Sequence, residues 1–307
     1  MPNFEPSSQS LFFKSPRPQD TRIGEYVKAI SEEGVQRLKE PGTILLGYPD
    51  DEGIRANFGR VGSADGPDAI RSAFFKLAPG REDFPPVYDL GNFSPREPLT
   101  EKQKMARQVT KNIFSKKHKL FSLGGGNDYA YPDIAGFLDV YGAKSPLVVS
   151  LDAHLDVRPT VNGPNSGTAF YQLLEEFKGL DLVDIGIQPC ANSRTHMKYA
   201  TQKKVRVFQL SESRNQLAKI FKNLSKTKKD MFLAIDIDVF SSAYAPGCSA
   251  AAPIGLDPNE FMDAIPKIIK QYNVHGVGVY EMSPPLDRDQ QTAKLAAQLI
   301  HNFILNF

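Results

Sequence analysis

Asp152-Ala153-His154-Leu155-Asp156 follows directly on the apolar run Leu147-Val148-Val149-Ser150-Leu151. That run is short, rich in β-branched residues and preceded by Lys144-Ser145-Pro146, so it reads as a fully buried strand. Two carboxylates and an imidazole at its C-terminal end have no structural use there, because unpaired charge in a low dielectric is costly. They call for a cation. Residues 231–235 form a second apolar run, which ends in Asp236-Ile237-Asp238. Period-two alternation puts these two aspartates on one side of a strand and Ile237 on the other. Four carboxylates and one imidazole converging from two strand ends are donors that suit divalent manganese or a similar metal. No thiolate joins them to favour zinc or an iron–sulfur cluster. Shared carboxylates suggest two ions, roughly 3.5 to 4 Å apart in a two-metal arrangement.

Positioning these groups requires a scaffold of buried strands. Residues 43–47, 85–90, 119–123, 147–151, 182–187, 205–210, 231–235 and 274–280 are short apolar runs. Helical patterns lie between most of them: residues 65–74, 99–115, 168–177, 194–201, 212–224 and 289–303, with a further helix opening at Asp257. Strands that alternate with helices predict a predominantly parallel sheet covered on both faces, with ligands in the crevice beyond the strands' carboxyl ends. A further helix is expected over residues 21–39, with Ile23, Tyr26, Val27 and Ile30 on one side. Asp257, Pro258 and Glu260 have the spacing of a capping box. Residues 50–66 read as a long functional loop. Gly124-Gly125-Gly126 is expected to bring backbone close to whatever occupies the crevice. It lacks the spacing and the Lys of a phosphate-binding P-loop.

The 307 residues, 41% of them hydrophobic, suit one large α/β domain over residues 41–307, with residues 1–40 an arm and helix packed on it. Leu11-Phe12-Phe13 could anchor that arm. A formal charge of +2 is too mild to argue for nucleic acid. No stretch approaches the roughly 20 apolar residues of a membrane span, and no membrane partner is expected. Only two cysteines occur, Cys190 and Cys248, so a reducing compartment, the cytoplasm or an organelle, is the expectation.

Taken in order, Gly124-Gly125-Gly126-Asn127-Asp128, Asp152-Ala153-His154-Leu155-Asp156, Asp236-Ile237-Asp238 with Pro246-Gly247, and Glu281-Met282-Ser283-Pro284 resemble the motifs of the ureohydrolases: arginase, agmatinase, formimidoylglutamase and their relatives. The resemblance covers residues 43–307. It implies an arginase-like three-layer α/β/α fold around an eight-stranded parallel sheet, a dinuclear Mn2+ centre and hydrolysis of a C–N bond at an amidine or guanidine carbon. By motif, Asp152 and Asp236 would bridge two ions. Asp156 and Asn127 would complete one ion's shell, and His154 and Asp238 the other's. A bridging water acidified by both ions would attack the substrate, with Asp156 holding it and passing its proton to the departing amine. Glu281 would grip the substrate's nitrogen-bearing cation. The resemblance also implies a homo-oligomer, a trimer or hexamer.

Three departures refine this. Most ureohydrolases carry His at the position of Asn127, so weaker binding is expected at that ion. Ser241 replaces a third aspartate that usually supports the ligands from behind. The loop Asn165-Ser166-Gly167-Thr168-Ala169-Phe170 has no His to shuttle a proton, which argues against arginase. That loop, and Gly186-Ile187-Gln188 with Asn192-Ser193, resemble formimidoylglutamases, whose small-molecule amidine substrate is N-formimidoyl-L-glutamate; the alternatives are another amidino or guanidino hydrolase, such as an agmatinase or guanidino-acid hydrolase, and a catalytically silent ureohydrolase-like scaffold. Arg158 is the expected carboxylate partner, with Arg55 and Arg60 in reserve and Asn165, Ser166, Gly167 and Asn192 as further substrate contacts. His196 could touch substrate but reads better as a packing or surface residue, and Cys248 as a small buried one.

Overall fold

The computed structural model describes residues 3–307; Met1 and Pro2 of the expected arm lie outside them. Ten strands form one sheet: β1 (Phe4–Glu5), β2 (Lys28–Ala29), β3 (Thr43–Gly47), β4 (Val87–Phe93), β5 (Lys119–Leu123), β6 (Leu147–Leu151), β7 (Asp181–Ile187), β8 (Arg206–Gln209), β9 (Asp230–Asp236) and β10 (Asn273–Tyr280). Eight of them, in the order β4-β3-β5-β10-β9-β6-β7-β8, are parallel. Two short N-terminal strands are added at the β4 edge, β1 antiparallel and β2 parallel. The expected eight-stranded parallel sheet is therefore present with two additions.

Each face of the sheet carries its own apolar layer. Val149, Leu233, Val277 and Leu123 pack beneath the helices Gly66–Phe74, Pro258–Gln271 and Gln291–Asn306. Val148, Phe232, Leu120 and Leu46 pack beneath Leu99–Ser115, Ala130–Tyr141 and Ala169–Glu176. Burial on both faces is why the strands read as continuous apolar runs rather than alternating ones. The central four strands β5, β10, β9 and β6 end side by side, and the chemistry-bearing motifs follow their C-terminal ends.

The expected helix over residues 21–39 is not formed. The segment is a 3-10 turn (Ile23–Glu25), the strand β2 and a short helix (Glu32–Arg37) capped by Ser31. Ile23 and Val27 are buried from this irregular backbone, and the Ile30 amide donates to Asp89 of β4 at 2.9 Å. Pairing with the sheet edge thus overrides the helical period. The expected helix over residues 212–224 is split into Leu210–Ser213 and Leu217–Leu224. Glu260 explains the second start: instead of closing a capping box, its carboxylate accepts from the Asn215 and Leu217 amides, both at 2.8 Å. Asp257 caps its own helix alone, through the Asn259 amide.

Candidate metal centre

The C-terminal ends of β6 and β9 bring Asp152, His154, Asp156, Asp236 and Asp238 together. Donor atoms of Asp152, His154 and Asp238 lie within 4.8 Å of one another, and so do those of Asp152, Asp156 and Asp236. Asp152 thus belongs to both sets, whereas Asp236 belongs only to the set that contains Asp156. His154 Nδ1 lies 3.0 Å from Asp238 and 3.4 Å from Asp152. β9 ends at Asp236 and Asp238 sits in a following 3-10 turn, so strand alternation is not what aligns the pair. The turn does it, with the Asp238 amide donating to Asp236 at 3.0 Å.

Burial and mutual repulsion dominate the electrostatics. Burial, then the charges of Asp156 and Asp238, raise Asp152 well above the ordinary carboxylate range. Burial and the charges of Asp238, Asp152 and Glu281 do the same to Asp236, and burial does it to Glu281. Asp156 is pushed up to about 6 by burial, with His154 and Asn127 opposing the shift. Burial also opposes charge on His154, but Asp152 and Asp238 outweigh it and raise its pKa strongly. A cluster of five acids around one imidazole is short of positive charge.

Asn127 stands where the Gly124–Gly126 turn leaves β5. Its amide nitrogen donates to Asp156 at 2.7 Å and Asp152 at 3.3 Å, while its Oδ1 is buried with no partner. A half-turn of the amide exchanges these atoms and presents the orphaned oxygen to the acidic centre. The donor set of oxygens and one imidazole nitrogen therefore fits hard divalent ions such as Mn2+. Glu281, after β10, takes the Asn127 main-chain N–H at 2.9 Å. Asp156 and Glu281 have φ of 46° and 66°, the left-handed region that non-glycine residues adopt at a cost. Two of the cavity-lining acids thus carry backbone strain, as do seven other non-glycine residues among those described. The three glycines do not face the cavity. A side chain at Gly125 would overlap the carbonyls of Tyr48 and Asp50, so the turn needs glycine to pack against the chain after β3.

Above the acids a cavity of about 280 Å³ opens, lined by His154, Asp156, Asp236, Asp238 and Glu281 below. Arg60, Arg158, Ser166, Asn192 and His196 are among its other lining residues, so His196 reaches the cavity, against the packing or surface role preferred from the sequence. The Arg158 guanidinium has no hydrogen bond or ion pair among the described residues. Arg60 is held by the carbonyls of Ser249 and Cys248 at 2.9 and 3.1 Å, whereas Arg55 stays outside the cavity wall. Asn165 and Gly167 do not line it. The Asn165 side chain accepts from the Gly167 amide, and the Gly167 carbonyl accepts from Arg158 N–H; both shape the loop. Asn192 lines the cavity but spends its amide on the backbone of Leu155, Ala153 and Gln188.

The sequence reading did not single out Asn57 and Ser249, which also line the cavity. Asn57 donates to Ser166 at 3.1 Å, and the Ser249 hydroxyl accepts from the Arg60 amide. Only their loop positions hinted at this. Ser241 donates to the Pro253 carbonyl at 2.7 Å and supports a loop rather than the acids. Cys248 is fully buried, with burial pushing its thiol far up.

The sequence matches the model of the arginase family over residues 42–305. A formimidoylglutamase of Staphylococcus aureus is 33% identical over 301 residues, covering 93% of this chain and 94% of its own. The crystal structure of Trypanosoma cruzi formiminoglutamase with Mn2+ superposes with a TM-score of 0.80 at 26% identity, covering 90% of this chain and 97% of that one. Formimidoylglutamase from Bacillus subtilis gives a TM-score of 0.85 at 25% identity, covering 96% and 94%. With a family match and relatives that span nearly its whole length, this chain belongs to the arginase family, as a formimidoylglutamase-like hydrolase acting on C–N bonds of amidines.

Proposed function

We propose that the chain hydrolyses N-formimidoyl-L-glutamate to L-glutamate and formamide, a step of histidine breakdown, with two Mn2+ ions per chain. The observation that carries this reading is a cavity with two poles: an acidic floor, and an unpaired Arg158 on its wall. An amidine end and a carboxylate end on one small molecule match those poles.

Asp152 and Asp236, with Asp156 and Asn127 on one side and His154 and Asp238 on the other, would hold the ions. When bound, two Mn2+ ions would supply Lewis acidity and a water acidic enough to ionise near neutral pH. Glu281 keeps one carboxylate oxygen on the Asn127 amide and offers the other to the amidine N–H groups. Asp156, itself one of these ligands and lining the cavity, takes the proton of the attacking water. As the new C–O bond forms and the C–N bond to glutamate breaks, Asp156 returns that proton to the departing nitrogen. Arg158 takes a substrate carboxylate, with Ser166 and His196 beside it on the cavity wall. An arginine at this place disfavours agmatine, whose far end is cationic.

We also infer a homo-oligomer, a trimer or hexamer, in the cytoplasm. Exposed Phe58, Val161 and Ile254 are side chains that a neighbouring copy would cover, and the free thiols of Cys190 and Cys248 suit a reducing compartment. No helix among the described residues is long and apolar enough to cross a membrane. Glutamate release from N-formimidoyl-L-glutamate after Mn2+ loading, with agmatine and arginine as alternative substrates, tests the assignment. Turnover of agmatine or arginine in preference would refute it.

A further inference from the structure

One buried hydrogen-bonded group is not used by the proposed chemistry. Asp133, fully buried in the helix Ala130–Tyr141, accepts the Tyr48 hydroxyl at 2.5 Å and the Tyr280 hydroxyl at 2.7 Å, one on each carboxylate oxygen. Both tyrosines are fully buried as well. Tyr48 follows β3, Tyr280 ends β10, and Asp133 sits in the helix that starts after Asn127. One carboxylate therefore ties together three elements that surround the Gly124–Asn127 turn. A side chain at Gly278 would overlap the Tyr280 hydroxyl, so β10 itself makes room for this bond.

The same three elements hold the turn directly. The Gly125 and Gly126 amides donate to the carbonyls of Tyr48 at 2.8 Å and Asp50 at 3.2 Å. The Glu281 amide donates to the Gly125 carbonyl at 2.8 Å, and its carboxylate takes the Asn127 N–H. Tyr48 also stacks on Tyr129 with ring centroids 4.1 Å apart, and Tyr129 donates to Asp50 at 2.8 Å. A neutral apolar core would be the ordinary filling here, since a buried carboxylate must be fully bonded to be tolerated. Placing one at the meeting point of three elements fixes their mutual register, which hydrophobic contacts alone leave softer.

We infer that Asp133, through Tyr48 and Tyr280, is a positioning residue for the Asn127–Glu281 pair, setting the ligand amide and the substrate-gripping carboxylate in place. The inference rests on the dinuclear reading above. Asn127 is the weak ligand of that set, so its aim matters more than that of an imidazole would. Partners that orient ligands typically change metal affinity or activity by about 10–100-fold when removed.

The test uses the full-length chain stripped of metal, with Mn2+ titrated while free ion is followed by electron paramagnetic resonance. Tyr280→Phe and Asp133→Asn are compared with Tyr272→Phe, a control that removes an equally buried hydroxyl, bonded to the Phe221 carbonyl at 2.6 Å and not part of this network. Tyr280→Phe and Asp133→Asn are expected to weaken the looser Mn2+ by roughly 10-fold or more and to raise KM for N-formimidoyl-L-glutamate. Tyr272→Phe should lower Tm yet leave both unchanged. Equal Mn2+ affinity and KM in Tyr280→Phe and wild type would overturn the inference, and that variant decides alone if Asp133→Asn does not fold. Wild-type chain that binds no Mn2+ overturns the dinuclear reading and the inference with it. Tight Mn2+ that Tyr280→Phe weakens, in a wild type that leaves N-formimidoyl-L-glutamate intact, upholds the positioning role and refutes only the substrate.

Discussion

Asp152→Asn should make the metal-free chain more stable while removing its response to Mn2+. Asp152 is fully buried and belongs to both donor sets, with its carboxyl raised first by burial and then by Asp156 and Asp238. Its neighbour Asp156, lifted by burial to about 6, shows the sign of such a cost, which for Asp156 itself is about 3 kcal/mol at neutral pH. An amide at residue 152 keeps an oxygen for the His154 main-chain N–H, now 2.6 Å away, and loses the 3.3 Å contact with Asn127 and the charge attraction to His154 Nδ1 at 3.4 Å. Relief of burial and repulsion should therefore exceed the lost bond and leave a net gain of about 1–3 kcal/mol, or roughly 2–6 °C in Tm for a chain of this size. Mn2+ at about 100 times its dissociation constant should add about 2.7 kcal/mol per site to the wild type and little to the variant. Thermal unfolding at pH 8, with chelator and with Mn2+, reads both effects. A variant that unfolds lower than wild type in chelator, or that keeps the Mn2+ shift, would refute the charge accounting.

The pH dependence of the metal-free chain follows from the same shifts. Asp152, Asp236 and Glu281 are raised, with Asp156 and Asp133 at about 6 and Asp128 at about 8, so the folded chain binds protons more tightly than the unfolded one. Raised His154 has the same sign. Stability should fall as pH rises from about 4 to about 8, and saturating Mn2+ should reverse that slope because ligation releases protons. Tm measured across that range in chelator and in Mn2+ checks the sign. Arg158→Ala should raise KM roughly 10–100-fold with a small change in kcat, the signature of lost uniform binding in steady-state kinetics. Glu260→Ala should cost about 1–2 kcal/mol in urea unfolding, by uncapping the helix Leu217–Leu224, and leave turnover of the folded enzyme unchanged.

Acid-ended strands were plain in the sequence because a buried strand tolerates such residues only for a cation, so Asp152, His154, Asp156, Asp236 and Asp238 declared themselves. The parallel sheet was plain too, since strands covered on both faces lose their alternation. Residues 21–39 misled because their apolar spacing suits a helix as well as an irregular edge segment, and pairing with β4 decides between them. Glu260 carries capping-box spacing, but whether it turns back or reaches the next helix depends on a contact 43 residues away. Asp133 is a lone acid in an apolar helix, and its role depends on Tyr48 and Tyr280, far off in sequence. Asn192 and Asn165 illustrate the remaining gap: a polar side chain near a site can be spent on the loop backbone, and spacing alone does not distinguish that from substrate contact.

The most direct test of the proposed activity is product analysis with metal content on one sample: N-formimidoyl-L-glutamate incubated with the Mn2+-loaded chain. Glutamate and formamide in equal amounts, from a chain holding two Mn2+, is the expected result. A folded chain that retains Mn2+ and releases glutamate at no more than the uncatalysed rate would contradict it.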